Sequence, residues 1–168
     1  MTIAVLMGVS GSGKTTIARG VAQRKGWRLV EGDAFHPAAN VAKMQAGTPL
    51  TDEDRWPWLH AIAREIDAMR GRGEQAVVAC SALKRAYREV LIGARKDVVL
   101  VYLQGSKALI AERVAARKGH FMPPTLLDSQ FATLEEPGPD EHPIVVSIAS
   151  APDAIVDEVV RQLKERSA

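Results

Sequence analysis

Residues Gly8 to Thr15 read G-V-S-G-S-G-K-T: a glycine, four residues, then Gly-Lys-Thr. This spacing can cradle phosphate. Its glycines let backbone N–H groups wrap an anion with no side chain in the way, and a following helix adds its positive dipole end. Lys14 can reach the β- and γ-phosphates of a nucleotide, and the Thr15 hydroxyl can bind Mg²⁺. Gly8, Ser10, Gly11, Ser12, Gly13, Lys14, Thr15 and Thr16 form the candidate ATP-binding stretch. The same letters also fit a glycine-rich turn. What favours the phosphate reading is context, because an apolar run precedes the stretch and a helical pattern follows it.

Further candidates lie downstream. Asp33, in "EGDAFHP", can orient a hydroxyl and take its proton, or merely cap a turn. His36 can bind an acceptor or sit in a His-Pro turn. Glu31 and Asp33 both follow the second strand, where an acceptor hydroxyl would lie. Lys84, Arg85 and Arg88, in "CSALKRAYR", make a cationic edge for an anion or a solvated helix face. Arg113 and Arg117 share a helix face; they can hold a nucleotide base and stabilise a transferred phosphoryl group, or form a surface pair. "TDEDRWPWLH" crowds Arg55 among Asp52, Glu53 and Asp54. Acids there suit a helix start capped by Thr51, Asp52 or Asp54, and Pro57 fits near that start. A cation at that place opposes the dipole. Arg55 is therefore either paired with Asp52 or Asp54, or a clamp for a carboxylate.

These residues need a scaffold. Five apolar runs read as strands: "TIAVLMG", "WRLVEGD", "EQAVVACSA", "KDVVLVYLQG" and "HPIVVSIAS". Helical spacing falls between them, from Lys14 to Arg24, along Leu59, Ile62, Ala63, Ile66 and Met69, along Leu83, Ala86, Tyr87, Val90 and Leu91, and from Leu109. A last helix follows Ser150 and Asp153, which are spaced as a capping box. Strands alternating with helices predict an α/β fold, a parallel sheet with ligands at the strands' carboxyl ends. A proline-rich stretch near residues 118–135, with one short helix from about Pro124 to Leu134, predicts a closing lid.

The 168 residues predict one domain, residues 1–168. A net charge of +2 gives no case for nucleic acid. No apolar run approaches a membrane span, and "MTIAVLMGVSG" predicts no leader. The lone Cys80 excludes an internal disulfide framework and predicts a reducing, cytoplasmic setting. The third run, "VVACSA", lacks the terminal aspartate that motor ATPases and GTPases place there, and no Asn-Lys-x-Asp pattern reads guanine. A small kinase is favoured.

The chain resembles the small P-loop gluconokinase family. The likeness runs from Gly8 to about Pro137 and is carried by "GVSGSGKTT", "EGDAFHPAANVAKMQAGTPLTDEDRWPWL", "CSALKRAYREVL" and "HFMPPTLLDSQFATLEEP". The first signature is common to many kinases; the others together are specific. The resemblance implies a nucleoside-monophosphate-kinase-like α/β/α fold with a five-stranded parallel sheet and a lid. It implies ATP and Mg²⁺ as cofactors and phosphorylation of D-gluconate at the 6-position. It also implies a cytosolic homodimer feeding the pentose phosphate or Entner–Doudoroff routes. It assigns Lys14, Asp33 and Arg117 to catalysis, and Arg113 and Arg117 to the nucleotide. Asp33, His36, Arg55, Lys84, Arg88 and Gln130 fall to the sugar acid, and Thr15 and Glu31 to the metal. The family commonly has Asp-Gly-Asp where this chain has Glu31-Gly32-Asp33. Shikimate kinases share the general scheme but do not need "DRWPWL" or "HFMPPTLLDSQF"; a nucleotide-sensing module without turnover would not need Lys14, Thr15 and Asp33 intact.

Overall fold

A computed structural model of the chain describes residues 2–116 and 124–167. The central strand, β1 (Ile3–Met7), is buried along its whole length. It pairs in parallel with β3 (Ala76–Ala79) on one side and β4 (Val98–Gln104) on the other. β2 (Arg28–Glu31) and β5 (Ile144–Ser147) form the edges, giving the order β2-β3-β1-β4-β5. An all-parallel sheet must be covered on both faces, which is why the inner strands read as continuous apolar runs. The chain steps outward from β1 to β2 and later crosses back over to β4. The crevice this opens at the strands' carboxyl ends is where such sheets bind ligands.

One face is covered mainly by α1 (Lys14–Lys25) and α7 (Pro152–Ser167), through Ile17, Val21, Val156 and Val159. α5 (Lys107–Ala116) adds Ile110 to this layer, and α6 (Pro124–Thr133) adds Leu127. The other face is covered by α3 (Asp52–Gly71) and α4 (Arg85–Leu91), through Trp58, Leu59, Ile62, Ile66, Tyr87 and Leu91. The five runs read as strands all form strands. The short α2 (Ala38–Gln45) was not expected. Its apolar positions, Val41 and Met44, are too few to give a period, and Val41 is exposed.

Two helix starts differ from the sequence reading. α7 begins at Pro152, one residue later than a Ser150 cap requires, so the Ser150–Asp153 box is not formed. Proline at a first helical position loses an N–H that would have no partner anyway, and its fixed φ suits the helix. At α3, Thr51 is the cap: its hydroxyl accepts from the Asp54 N–H at 3.2 Å, and the Asp54 carboxylate accepts from the Thr51 N–H at 2.9 Å. Such a cap stabilises a helix by about 1 kcal/mol. Pro57 then falls inside the helix, at its sixth position, beyond the N–H groups that lack intrahelical partners. Its missing N–H leaves the Glu53 carbonyl without its usual i+4 donor. Pro57 and Glu53 are both exposed, so that carbonyl can turn to solvent.

No helix of the described residues is long and apolar enough to cross a membrane.

Candidate active site

The loop from Gly8 to Gly13 joins β1 to α1, as the sequence requires of a phosphate cradle. Gly13 caps α1 at φ 90°, a left-handed conformation that a side chain would strain. It offers no side-chain cap, and no acid occupies the first turn of α1. The helix's leading N–H groups are therefore left for an anion. The Lys14 ammonium bends back and donates to the carbonyls of Gly8 at 2.9 Å and Val9 at 3.1 Å. Burial pushes its pKa down, while Asp33, Cys80 and Glu31 oppose that shift. The Ser12 hydroxyl is the buried side-chain polar atom without a partner among the described residues, an orphan inside the cradle.

Beside the loop lies a cavity of about 370 Å³, walled by Gly13, Thr16, Arg113, Ser150 and Pro152. Arg113 reaches the Ser150 carbonyl at 3.4 Å. This brings Arg113 to the cradle, where a nucleotide base would lie. Arg117 and residues 118–123 of the expected lid lie outside the described residues.

The metal pair expected from sequence is close together. The Thr15 hydroxyl donates to Glu31 Oε2 at 3.2 Å. Among the described residues no cluster of three or more His, Cys, Asp or Glu side chains could hold a metal. An ion here would rely on these two oxygens, phosphate and water, the usual habit of Mg²⁺.

Glu31 ends β2, and Asp33 stands two residues on, in a 3-10 turn over Gly32–Phe35. Gly32 is tightly enclosed: a Cβ there would sit 2.5 Å from the Ala79 carbonyl of β3. Its own carbonyl accepts from Trp58 Nε1 at 2.8 Å. The turn is thereby pinned from both sides, and the Asp33 side chain is left 86% exposed at the crevice. An open carboxylate in this place can meet an acceptor hydroxyl.

His36 stacks on Trp58 with ring centroids 4.1 Å apart and planes 14° from parallel. Its side chain is buried, and Nε2 lies 3.9 Å from Asp33 Oδ1. The buried Asn40 bridges the Asp54 carbonyl, at 2.8 Å, and His36 Nδ1, at 3.2 Å, with its amide nitrogen. Nδ1 therefore accepts, and the ring proton sits on Nε2, toward Asp33. Burial pushes the His36 pKa below 6.5; Asp33 opposes that and Arg55 adds to it. The unfolded chain then binds the proton more readily than the folded one, so stability falls as pH drops below about 6.5, the ordinary histidine value. Denaturant midpoints measured from pH 7.5 to 5 should decline more for the wild type than for His36→Gln; equal slopes would remove His36 as the cause.

Arg55 finds neither expected acid. Asp54 is taken by Lys43 at 2.7 Å and by the Thr51 cap, which hold its pKa down to about 2. Asp52 accepts from Lys84 at 3.1 and 3.3 Å and, through a short bond, from the Tyr87 hydroxyl. Arg55 donates instead to that same Tyr87 oxygen at 3.1 Å, with its guanidinium 5.5 Å from the ring centroid. Trp56 closes on Tyr87 edge-on, centroids 5.5 Å apart. Among the described residues Arg55 has no carboxylate within 4.0 Å, and most of its N–H fork is free. Tyr87 is the residue the sequence reading missed, counted only as part of an apolar helix face. Its signal was the phenol, a polar tip on a buried position.

Three expected sugar ligands, Lys84, Arg88 and Gln130, are held by protein partners, and so is Arg85. Lys84 caps α4 and is committed to Asp52. Arg88 is buried and turned to the protein, donating to both Glu141 oxygens, at 2.7 and 3.1 Å, and to the Ala82 carbonyl at 3.0 Å. A buried guanidinium needs such a partner, and these bonds turn the Arg88 fork toward the protein. Arg85 pairs with Asp140 on the surface. Gln130 touches the phosphate loop, at Ser10, and among the described residues makes no hydrogen bond to the Asp33–Arg55 side.

A central parallel sheet, a phosphate loop ahead of α1, a Thr15–Glu31 oxygen pair and an open Asp33 carboxylate define a P-loop kinase. A family model described as an AAA domain matches residues 3–137. The chain is 50% identical to a gluconokinase of Gluconobacter oxydans over 160 residues, covering 95% of this chain and 90% of that protein. It is 41% identical to the thermoresistant gluconokinase of Escherichia coli, covering 97% and 94%. A crystal structure of a gluconokinase from Sinorhizobium meliloti superposes with a TM-score of 0.88 at 42% identity, covering 99% and 98%. The chain belongs to the gluconokinase family.

Proposed function

We infer that the chain transfers the γ-phosphoryl group of ATP to the 6-hydroxyl of D-gluconate. Family membership supports the reaction, and one observation supports the acceptor: Arg55, a cation held by a phenol rather than by an acid. Gluconate is a polyol whose only charge is a carboxylate at one end. An arginine fork pairs with a carboxylate through two parallel hydrogen bonds. Tyr87 accepts one Arg55 N–H and donates its own O–H to Asp52, so the fork is aimed without being neutralised.

With the carboxylate at Arg55, the far end of the sugar acid extends toward Asp33. The 6-oxygen forms a bond to the γ-phosphorus as the bond from phosphorus to the β,γ-bridging oxygen breaks. The hydroxyl proton passes to Asp33, and ADP leaves with the bridging oxygen. Lys14 and the amino end of α1 stabilise charge on the phosphates. Thr15 and Glu31 would hold Mg²⁺, which supplies neutralisation of the phosphate oxygens. His36, with its proton on Nε2, donates toward Asp33 or the substrate. Arg113 lines the nucleotide's cavity. Arg117 retains the catalytic role its motif implies. We read the enzyme as one kinase domain per chain, cytoplasmic and homodimeric as the family resemblance implies; light scattering measures the last point.

Arg55→Ala should raise the KM for gluconate roughly 10- to 100-fold, the range of about 1.5–3 kcal/mol for hydrogen bonds to a charged group. The KM for ATP should hold, and Arg55→Lys should recover only part of the loss. A panel of gluconate, its epimers, shikimate and nucleoside monophosphates, each with Mg-ATP, tests the acceptor class. Turnover of shikimate in preference to gluconate would overturn the assignment, and ATP binding without any turnover would leave only a nucleotide-binding module.

A further inference from the structure

Gln130 lies 120 residues from Ser10, yet its amide grips that residue at two points. Its Oε1 accepts from the Ser10 N–H at 2.6 Å, and its Nε2 donates to Ser10 Oγ at 2.8 Å. Among the described residues, the other hydrogen bonds of this part of the loop are short-range or run to the segment just after β3. Ser12 N–H meets the Val9 carbonyl, Gly8 N–H meets the Ser81 carbonyl, and Lys14 folds onto Gly8 and Val9. Gln130 adds a hold from a different helix, α6, on a backbone whose glycines give it wide freedom when unbound.

α6 is itself anchored. Leu127 is buried in the core. Just past the helix, the Glu135 N–H donates to the Leu83 carbonyl at 2.7 Å, and its carboxylate accepts from the Arg85 N–H at 3.0 Å. Those partners flank Lys84, which holds Asp52 in the network that aims Arg55. The segment from 127 to 135 is thus a strut from the phosphate loop to the acceptor side.

We propose that Gln130 is a positioning residue for the nucleotide: its amide fixes the first limb of the phosphate loop before ATP arrives and ties that limb to the acceptor side through α6. A cradle already ordered binds with less loss of freedom. The amide suits the task because it offers one acceptor and one donor to Ser10 while adding no charge. A glutamate could reach the same atoms, but it would set an anion beside the phosphates. This inference rests on the loop's holding ATP, and not on the hold of Arg55 on gluconate.

Gln130→Ala should raise the Kd for MgADP, by calorimetry, and the KM for ATP about five- to tenfold, as loss of a neutral hydrogen-bond pair predicts. The KM for gluconate should stay put. Amide exchange over residues 8–13 should quicken in the nucleotide-free protein while the thermal midpoint holds. Gln130→Glu should weaken MgADP binding further, by an amount that shrinks with added salt. An unchanged Kd for MgADP in folded Gln130→Ala would overturn the proposal. So would a rise confined to the KM for gluconate, which would return Gln130 to the sugar acid. A wild-type protein that bound MgADP but ignored gluconate would sink the proposed function and leave this binding test intact.

Discussion

Lys14→Ala should lower kcat on the order of 10³-fold, with the fold retained. In the structure the Lys14 ammonium rests on two carbonyls of its own loop, Gly8 and Val9. Among the described residues no carboxylate pairs with it directly; Asp33 and Glu31 favour its charge from nearby, and burial outweighs them. Incoming phosphates supply the missing counter-charge, and more of it develops as the phosphoryl group transfers. A preorganised cation at that point is worth about 10²–10³ in rate, as for other groups aimed at transition-state charge. Far-UV circular dichroism and the thermal midpoint should match the wild type, because the lost contacts are two hydrogen bonds to a loop. Turnover within a few-fold of wild type would break the link between this loop and phosphoryl transfer. Lys14→Arg is a sharper control: it keeps the charge but cannot fold into the same space, so most of the activity should stay lost.

Asp33→Asn should lower kcat by about 10²–10⁴-fold, the span of general acid–base catalysis. The substitution keeps shape and removes both charge and basicity. Asp33 makes no hydrogen bond that holds the turn through its side chain, and the turn is pinned instead by Gly32 and Trp58. The fold should therefore tolerate the change. The Kd for MgADP should shift little, and the KM for gluconate should move less than kcat. This split separates a proton acceptor from a group that merely binds sugar. A variant with normal kcat would reduce Asp33 to a polar residue at the crevice mouth.

The fold was legible because its strongest signals are local. The five strands are apolar runs that a parallel sheet buries on both faces, and the cradle is one unbroken stretch of eight residues. The Thr15–Glu31 pairing came from the family resemblance; in the fold the first turn of α1 meets the end of β2 there. What stayed hidden depends on partner choice across the fold. Arg55, Lys84 and Arg88 are equivalent cations in a sequence, but Asp52 and Glu141 pair with two of them, while Arg55 rests on Tyr87 with no carboxylate partner among the described residues. Tyr87 was invisible as a site residue because its ring is core and only its oxygen is functional. Gln130 sits in a family signature that assigned it to the sugar acid, whereas in the fold its amide holds Ser10 of the phosphate loop. Pro57 was misjudged by a few positions because the Thr51 cap, not the proline, decides where α3 begins.

Gly32 separates the residue expected to hold the metal from the residue expected to take the proton, and its packing against Ala79 admits no side chain. The two roles are thus mounted on a single tightly packed joint, while the residues proposed to grip the acceptor stand on α3 and α4. Mutational drift meets these parts very differently. Any replacement at Gly32 displaces Glu31 and Asp33 together, so there is no graded path through partial loss. On the proposed reading, changes at Arg55, Tyr87 or Lys84 act on the acceptor and not on the transfer step. Substrate range can then move in small steps through α3 and α4, whereas the joint at Gly32 has no such steps to offer.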